Sequence, residues 1–167
     1  YQLTYENVFT VFVDYCNSFS DKLNLVGLSL GGILAIDYAI LHPEKVNSIT
    51  LCGVPYEMPK KLLKIQNFIF KFMPKRTFDN IGISKENFMQ LTNSMAELNI
   101  KEKISKLKCH TLVICGEKDS ANIESANKLN ENIKNSELKI IKNAGHEVNI
   151  DAPEKFAEII KGFLVSK

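Results

Sequence analysis

The chain has 167 residues, enough for one domain with a substantial core, and its 45% hydrophobic and 24% charged content is that of a soluble globular protein. With 21 basic against 19 acidic residues the net charge is +2, so charge gives no ground for a nucleic-acid partner or an anionic membrane surface. No basic region precedes an apolar stretch, and no apolar run reaches membrane-spanning length.

Cys16, Cys52, Cys109 and Cys115 lie in or beside apolar runs, without C-x-x-C or Cys/His ligand spacing. They read as buried thiols in a reducing cytoplasm rather than as disulfides or zinc ligands. A soluble cytoplasmic protein is the expectation.

Tyr1-Gln2-Leu3-Thr4 carries no initiator methionine and runs almost at once into a helix, so the chain is expected to be part of something longer. Thr4 is the N-cap candidate, and Tyr5, Val8, Phe9, Phe12, Cys16 and Phe19 follow at helical spacing. A short apolar strand, Leu23 to Val26, leads into Gly27-Leu28-Ser29-Leu30-Gly31. The helix leading out, Ile33 to Leu41, is apolar on most faces, as a buried central helix should be, and ends at His42-Pro43. Val46 to Cys52 is β-rich and closes at Gly53.

Pro55 and Pro59 open a different region. From Lys60 to about Ile104 the chain is lysine-rich and helical. One amphipathic piece carries Leu62, Leu63, Ile65, Phe68, Ile69 and Phe72 and stops at Pro74. A second starts at the capping candidate Ser84 and carries Phe88, Leu91, Met95 and Leu98. With no β-run across it, the stretch 55–106 is predicted to be a helical insertion lying over the sheet.

Thr111 to Cys115 is a buried-type strand that ends at Gly116-Glu117-Lys118-Asp119, and a helix with Ala126, Leu129 and Ile133 follows. Leu138 to Ile141 is a further strand running into Asn143-Ala144-Gly145-His146, and Pro153 opens a last helix with Phe156, Ile159, Ile160, Phe163 and Leu164. Alternating strands and helices predict an α/β fold, a parallel sheet with helices on both faces. The expected division is 1–54 with the serine turn, 55–106 as a helical lid, and 107–167 as the C-terminal part of the core.

G-x-S-x-G places Ser29 on a tight strand–helix turn, the pattern of a nucleophile elbow. A Cβ at Gly27 or Gly31 is expected to collide across that turn. The helix N-terminus aims backbone N–H groups at negative charge forming there. The same five residues also fit an ordinary glycine-punctuated connection, so the rest of the chain has to decide.

Ligands of parallel α/β sheets sit at the carboxyl ends of the strands. Ser29, His146 and a carboxylate all fall at such ends, and spacing barely separates Glu117 from Asp119 as that carboxylate. An imidazole can take the serine proton, a carboxylate fixes its tautomer and stabilises the imidazolium, and the N–H of Leu30 is one oxyanion-hole donor. His42 and His110 read as surface residues and Asp151 as a cap for the last helix. No His/Asp/Glu cluster has metal-ligand spacing.

Three pieces in order carry a family resemblance: Leu25 to Gly32, Leu112 to Asp119, and Asn143-Ala144-Gly145-His146 continuing to Ala152-Pro153-Glu154-Lys155-Phe156. The chain resembles the α/β-hydrolase superfamily, especially its small esterases, thioesterases, peptidases and C–C bond hydrolases. The resemblance spans the whole chain, most weakly across Pro55 to Lys106. It implies Ser29 as nucleophile, Asp119 as acid and His146 as base of a cofactor-free serine hydrolase acting on a small-molecule acyl substrate, with the weak stretch as its lid. An acyltransferase of the same fold and a non-catalytic remnant are the alternatives.

The family fold also has earlier strands and a His-Gly-type loop that donates the second oxyanion-hole N–H, and nothing in these residues corresponds to them. The chain is therefore expected to be the C-terminal part of such a hydrolase. Its Leu23–Val26 strand is expected to present an unpaired edge through which copies self-associate.

Overall fold

Four apolar runs become four parallel strands, β1 (Leu23–Leu28), β2 (Val46–Cys52), β3 (His110–Gly116) and β4 (Ser136–Ile141), in the spatial order β1-β2-β3-β4. The helices are α1 (Tyr5–Asn17), α2 (Leu30–Leu41), α3 (Lys60–Phe72), α4 (Lys75–Asp79), α5 (Lys85–Met95), α6 (Ile100–Lys103), α7 (Ile123–Asn132), α8 (Val148–Asp151) and α9 (Pro153–Val165). This computed structural model describes residues 2–58, 60–79 and 82–165. Pro59, which the sequence uses with Pro55 to open the helical stretch, lies outside the described residues, as does the side chain of Leu62.

Three strands outrun their apolar cores. β1 continues through Leu28, β3 gains His110 and Gly116, and β4 begins at Ser136. Pairing with a neighbour, not side-chain character, sets these ends: Ser136 lies opposite Thr111, and Thr111 N donates to Asn135 O at 2.9 Å.

Register assigns the faces. Gly27 lies opposite Leu51 and Leu51 opposite Val113, while Leu28, Cys52 and Ile114 align on the other side. α2 covers the Gly27 face, where a Cβ on Gly27 would strike Gly31 and one on Gly32 would lie 3.6 Å from Leu51. The opposite face carries Cys52, Leu112, Ile114 and Ile141 in one cluster with Phe163, and with Phe156 and Ile160 of α9 against it. Helices on both faces are what a parallel sheet requires.

α2 is buried along most of its length (Gly32 to Ile36, Tyr38, Ala39), and its single charged side chain, Asp37, pairs with Lys103 of α6. β1 pairs only with β2 among the described residues, and Val26 on it stays 50% exposed. None of the four cysteines forms a disulfide. Cys16, Cys52 and Cys115 are buried as expected, but Cys109 is only half-buried, because it lies in the connection before β3 rather than in the strand.

Contacts divide the chain into two units, Tyr1–Ser18 with Met58–Asn99, and Phe19–Glu57 with Ile100–Lys167. In the first, Thr4 caps α1 and Ser84 caps α5, each hydroxyl accepting from the backbone N–H three residues on, at 3.3 and 3.1 Å. Phe70, Phe78 and Phe88 meet ring to ring at centroid distances of 5.3 to 5.6 Å. Buried Asn67 and Thr92 satisfy each other, Thr92 Oγ1 donating to Asn67 Oδ1 at 2.7 Å. Lys85 Nζ donates to the carbonyls of Lys71 and Met73 at 2.7 and 2.8 Å, meeting acceptors that the end of α3 leaves open. Phe68, Ile69 and Phe72 are exposed. The second unit contains the sheet and every residue of the site.

Candidate active site

β1 ends at Leu28 and α2 begins at Leu30, so the whole reversal falls on Ser29, at φ 52° and ψ −114°. A side-chain-bearing residue adopts such a conformation only when its surroundings impose it. Ser29 N donates to Cys52 O at 2.8 Å, and Ser29 O accepts from Gly32 N and Ile33 N at 3.0 and 3.2 Å.

Space around the turn is as tight as the motif demands at Gly27, where a Cβ would lie 2.3 Å from the carbonyl carbon of Gly31. The clash expected at Gly31 does not arise. Its Cβ direction opens onto empty space, and the second crowded position is Gly32, where a Cβ would lie 2.2 Å from Val54 Cγ2.

The N–H of Ser29 is engaged by Cys52. Leu30 is the first helical residue, so its N–H has no acceptor within α2 and lies at the positive end of the helix dipole.

The turn after β3 carries Asp119. Asp119 N donates to Gly116 O at 3.0 Å, and Asp119 O accepts from Asn122 N and Ile123 N, both at 3.0 Å, which folds the carboxylate back over the strand end. Asp119 Oδ2 lies 2.8 Å from His146 Nδ1, with the two side chains 5% and 41% exposed. Asn122 Nδ2 donates to both Asp119 oxygens at 3.0 Å and lies 3.3 Å from His146 Nδ1. Glu117, the competing acid in the sequence, is elsewhere: its Oε2 accepts from Asn143 N at 3.0 Å.

The loop that carries His146 is tied down on both sides. Glu117 N donates to Ile141 O at 2.9 Å and Lys118 N to Ala144 O at 2.8 Å, joining it to the turn after β3. Asp151 Oδ2 accepts from Gly145 N at 2.6 Å. Asp151 is thus not the cap of the last helix that the sequence suggested. It ends α8 and points back at the residue before His146.

Gly53, with φ +55°, forms the wall behind the imidazole: a Cβ there would lie 2.8 Å from both Cε1 and Nδ1 of His146 and 3.3 Å from Asp119 Oδ2. Gly53 directly follows Cys52, whose carbonyl holds the Ser29 amide. One short stretch of backbone at the end of β2 therefore touches both the serine turn and the histidine–aspartate pair.

His42 and His110 stand outside this cluster, His110 exposed as expected and His42 half-buried. His42 follows α2 and tilts on Tyr38 at 4.9 Å, with Nδ1 3.7 Å from Glu44. His110 starts β3 and stacks on Phe163 at 5.0 Å. Burial, with a smaller contribution from Cys115, pushes the Cys52 thiol up to about 12, and burial with the Asp119 charge pushes Cys115 up to about 11. Neither is a thiolate at neutral pH. Among the described residues no group of three or more His, Cys, Asp or Glu could hold a metal ion, and no helix is long and apolar enough to cross a membrane.

Gly53, Asn122 and the loop-holding role of Asp151 were not read from the sequence. Asn122 carried a local signal, standing three residues after Asp119 at the mouth of a helix. Gly53 carried only its place at a strand end.

The chain is similar to curated proteins of several activities. It is 27% identical to a proline iminopeptidase of Saccharolobus solfataricus over 87% of this chain and 63% of that protein. It is 22% identical to a monoacylglycerol lipase of Mus musculus over 93% of this chain and 58% of that protein. It thus spans about three fifths of the length of these relatives.

Solved structures share its fold. An esterase from Exiguobacterium antarcticum superposes with TM-score 0.83 at 20% identity, covering 98% of this chain and 74% of that one. An enol-lactonase from Burkholderia xenovorans gives 0.85 at 16% identity, covering 97% and 73%. The family described by the alpha/beta hydrolase fold matches residues 20–106, more than half of the chain. With its parallel sheet and strand–turn–helix serine, the chain belongs to the α/β-hydrolase family.

Proposed function

We propose that the chain carries the nucleophile, acid and base of a serine hydrolase that cleaves an ester, thioester or related acyl bond. His146 takes the proton of Ser29 as the hydroxyl attacks the acyl carbon. Asp119 holds the Nδ1–H tautomer and stabilises the imidazolium, and the Leu30 N–H binds the oxyanion. Collapse of the tetrahedral intermediate returns the proton to the leaving group and leaves an acyl-enzyme on Ser29. Water activated by His146 then cleaves that ester.

The observation that carries this reading is the 2.8 Å contact of His146 Nδ1 with a nearly buried Asp119, set against the backbone of Gly53. A neutral imidazole held this way leaves Nε2 free to accept a proton. Esterase, lipase and peptidase names among the relatives support acyl chemistry in general and do not choose the acyl group. The stretch 55–106 serves as the lid over the substrate in this reading, and the site needs no metal or cofactor.

Loss of one oxyanion donor typically costs about 10²–10³ in kcat, which is the share this reading gives to the Leu30 N–H. The testing experiment is prolonged incubation with a fluorophosphonate followed by peptide mass mapping. Covalent adduct on Ser29, absent in Ser29→Ala, supports the hydrolase. Absence of any adduct on Ser29 supports a non-catalytic member of the family. Adding acceptor alcohols or thiols and analysing products separates hydrolysis from acyl transfer.

A further inference from the structure

We infer that Asn122 is a positioning residue for the Asp119–His146 pair, its side-chain amide fixing the plane of the carboxylate so that Oδ2 stays aimed at Nδ1. The inference rests on the proposed role of His146 as the base, but its observable is independent of turnover.

Asn122 occupies the N-cap position of α7, where asparagine ordinarily turns its side-chain oxygen onto the exposed N–H groups of the first helical turn. Here it makes no such bond. Its side-chain nitrogen instead donates to Asp119 Oδ1 and Oδ2, both at 3.0 Å. The amide therefore leaves its usual helix-capping role and serves the carboxylate.

The backbone makes this clamp short and stiff. Asp119 O accepts from Asn122 N at 3.0 Å, so the carboxylate and the amide that grips it belong to one closed turn. A carboxylate with 5% side-chain exposure cannot rely on water to fill its lone pairs. The Nδ1–H of His146 meets Oδ2, and Asn122 bridges both oxygens.

Without that bridge the carboxylate is free to rotate about its terminal bond. Oδ2 then leaves Nδ1, and the tautomer with its proton on Nε2, which cannot accept from serine, gains population. Asn122 Nδ2 and His146 Nδ1 lie 3.3 Å apart as two donors converging on one acceptor, so the amide acts on the ring through Asp119.

The test uses the full chain with 15N-labelled histidine, its His146 signals assigned by His146→Gln. Wild type is expected to show the Nδ1–H tautomer with a slowly exchanging proton. Asn122→Leu, close in shape and without donors, is expected to speed that exchange roughly 10-fold or more and to mix the tautomers. His42 and His110, which pack on Tyr38 and Phe163 away from this pair, should keep their signals and report intact folding. Asn122→Ala, which adds no apolar bulk, should behave alike.

In an Asp119→Asn background the leucine substitution should add nothing further. Unchanged His146 signals and exchange in folded Asn122→Leu and Asn122→Ala would overturn the inference. If Ser29 takes the fluorophosphonate while these spectra stay unchanged, the clamp fails alone. If the spectra respond while Ser29 stays unlabelled, the hydrolase reading fails and the clamp stands.

Discussion

Gly53 and His146 border the same small volume: a Cβ on Gly53 would lie 2.8 Å from two atoms of the imidazole. The sheet thereby presses a bare piece of backbone against the proposed base, and the adjoining Cys52 carbonyl holds the turn of the proposed nucleophile. Gly53→Ala must displace the ring. The positive φ adds about 1–2 kcal/mol of backbone strain. Its far-UV circular dichroism should match wild type, while phosphonylation of Ser29 slows about 10²-fold, the cost of a displaced catalytic group. A wild-type rate in Gly53→Ala would show that the wall does not matter.

The two flanking glycines of the elbow should respond in opposite ways. Gly27→Ala forces a methyl to within 2.3 Å of the backbone of α2 and should destabilise by at least about 3 kcal/mol. Gly31→Ala meets nothing within 4 Å in the first turn of a helix and should be neutral or stabilising, by up to about 1 kcal/mol. Urea midpoints of the two variants decide this, and equal losses would contradict the asymmetry.

Self-association through β1 is the proposal for the sheet edge that has no partner strand among the described residues. Val26 is 50% exposed there, and an apolar groove lined by Val26, Leu28, Val148 and Phe156 runs beside the strand. Unpaired strand edges with apolar neighbours recruit further strands. Sedimentation velocity should show oligomers growing with concentration, and Val26→Lys should shift the chain towards monomer. A monomer at every concentration would remove the proposal.

Stability should fall in alkali through the buried thiols. Folding raises Cys52 to about 12 and Cys115 to about 11 from an ordinary 9.0. The unfolded chain therefore releases these protons first. Their contribution is complete below pH 9 and is lost as pH rises towards the folded values. Urea midpoints should drop between pH 8 and pH 10, and the drop should be smaller in a Cys52→Ala, Cys115→Ala double variant. An identical drop in both proteins would assign the loss to other groups.

What the sequence shows plainly is what one local rule governs. Gly27 and Ser29 announce the elbow because a one-residue reversal tolerates few side chains. Thr4 and Ser84 announce helix starts because a hydroxyl must meet orphan N–H groups. The choice between Glu117 and Asp119 is invisible to spacing, since both follow the same strand, and only the turn closed by Asn122 N and Ile123 N aims Asp119 at the ring. Asp151 looks like a cap because it stands just before Pro153. Its actual partner, Gly145 N, lies in another loop. Gly53 was missed for the same reason, since its neighbour across the turn is 93 residues away in sequence at His146.

The central claim is that His146, oriented by Asp119, activates Ser29. The direct measurement is the second-order rate of fluorophosphonate attachment to Ser29 in wild type and in His146→Ala. His146→Ala should lose about 10²- to 10⁴-fold, the usual worth of a general base, with Asp119→Ala also impaired. Equal rates in wild type and His146→Ala, in folded protein, would contradict it.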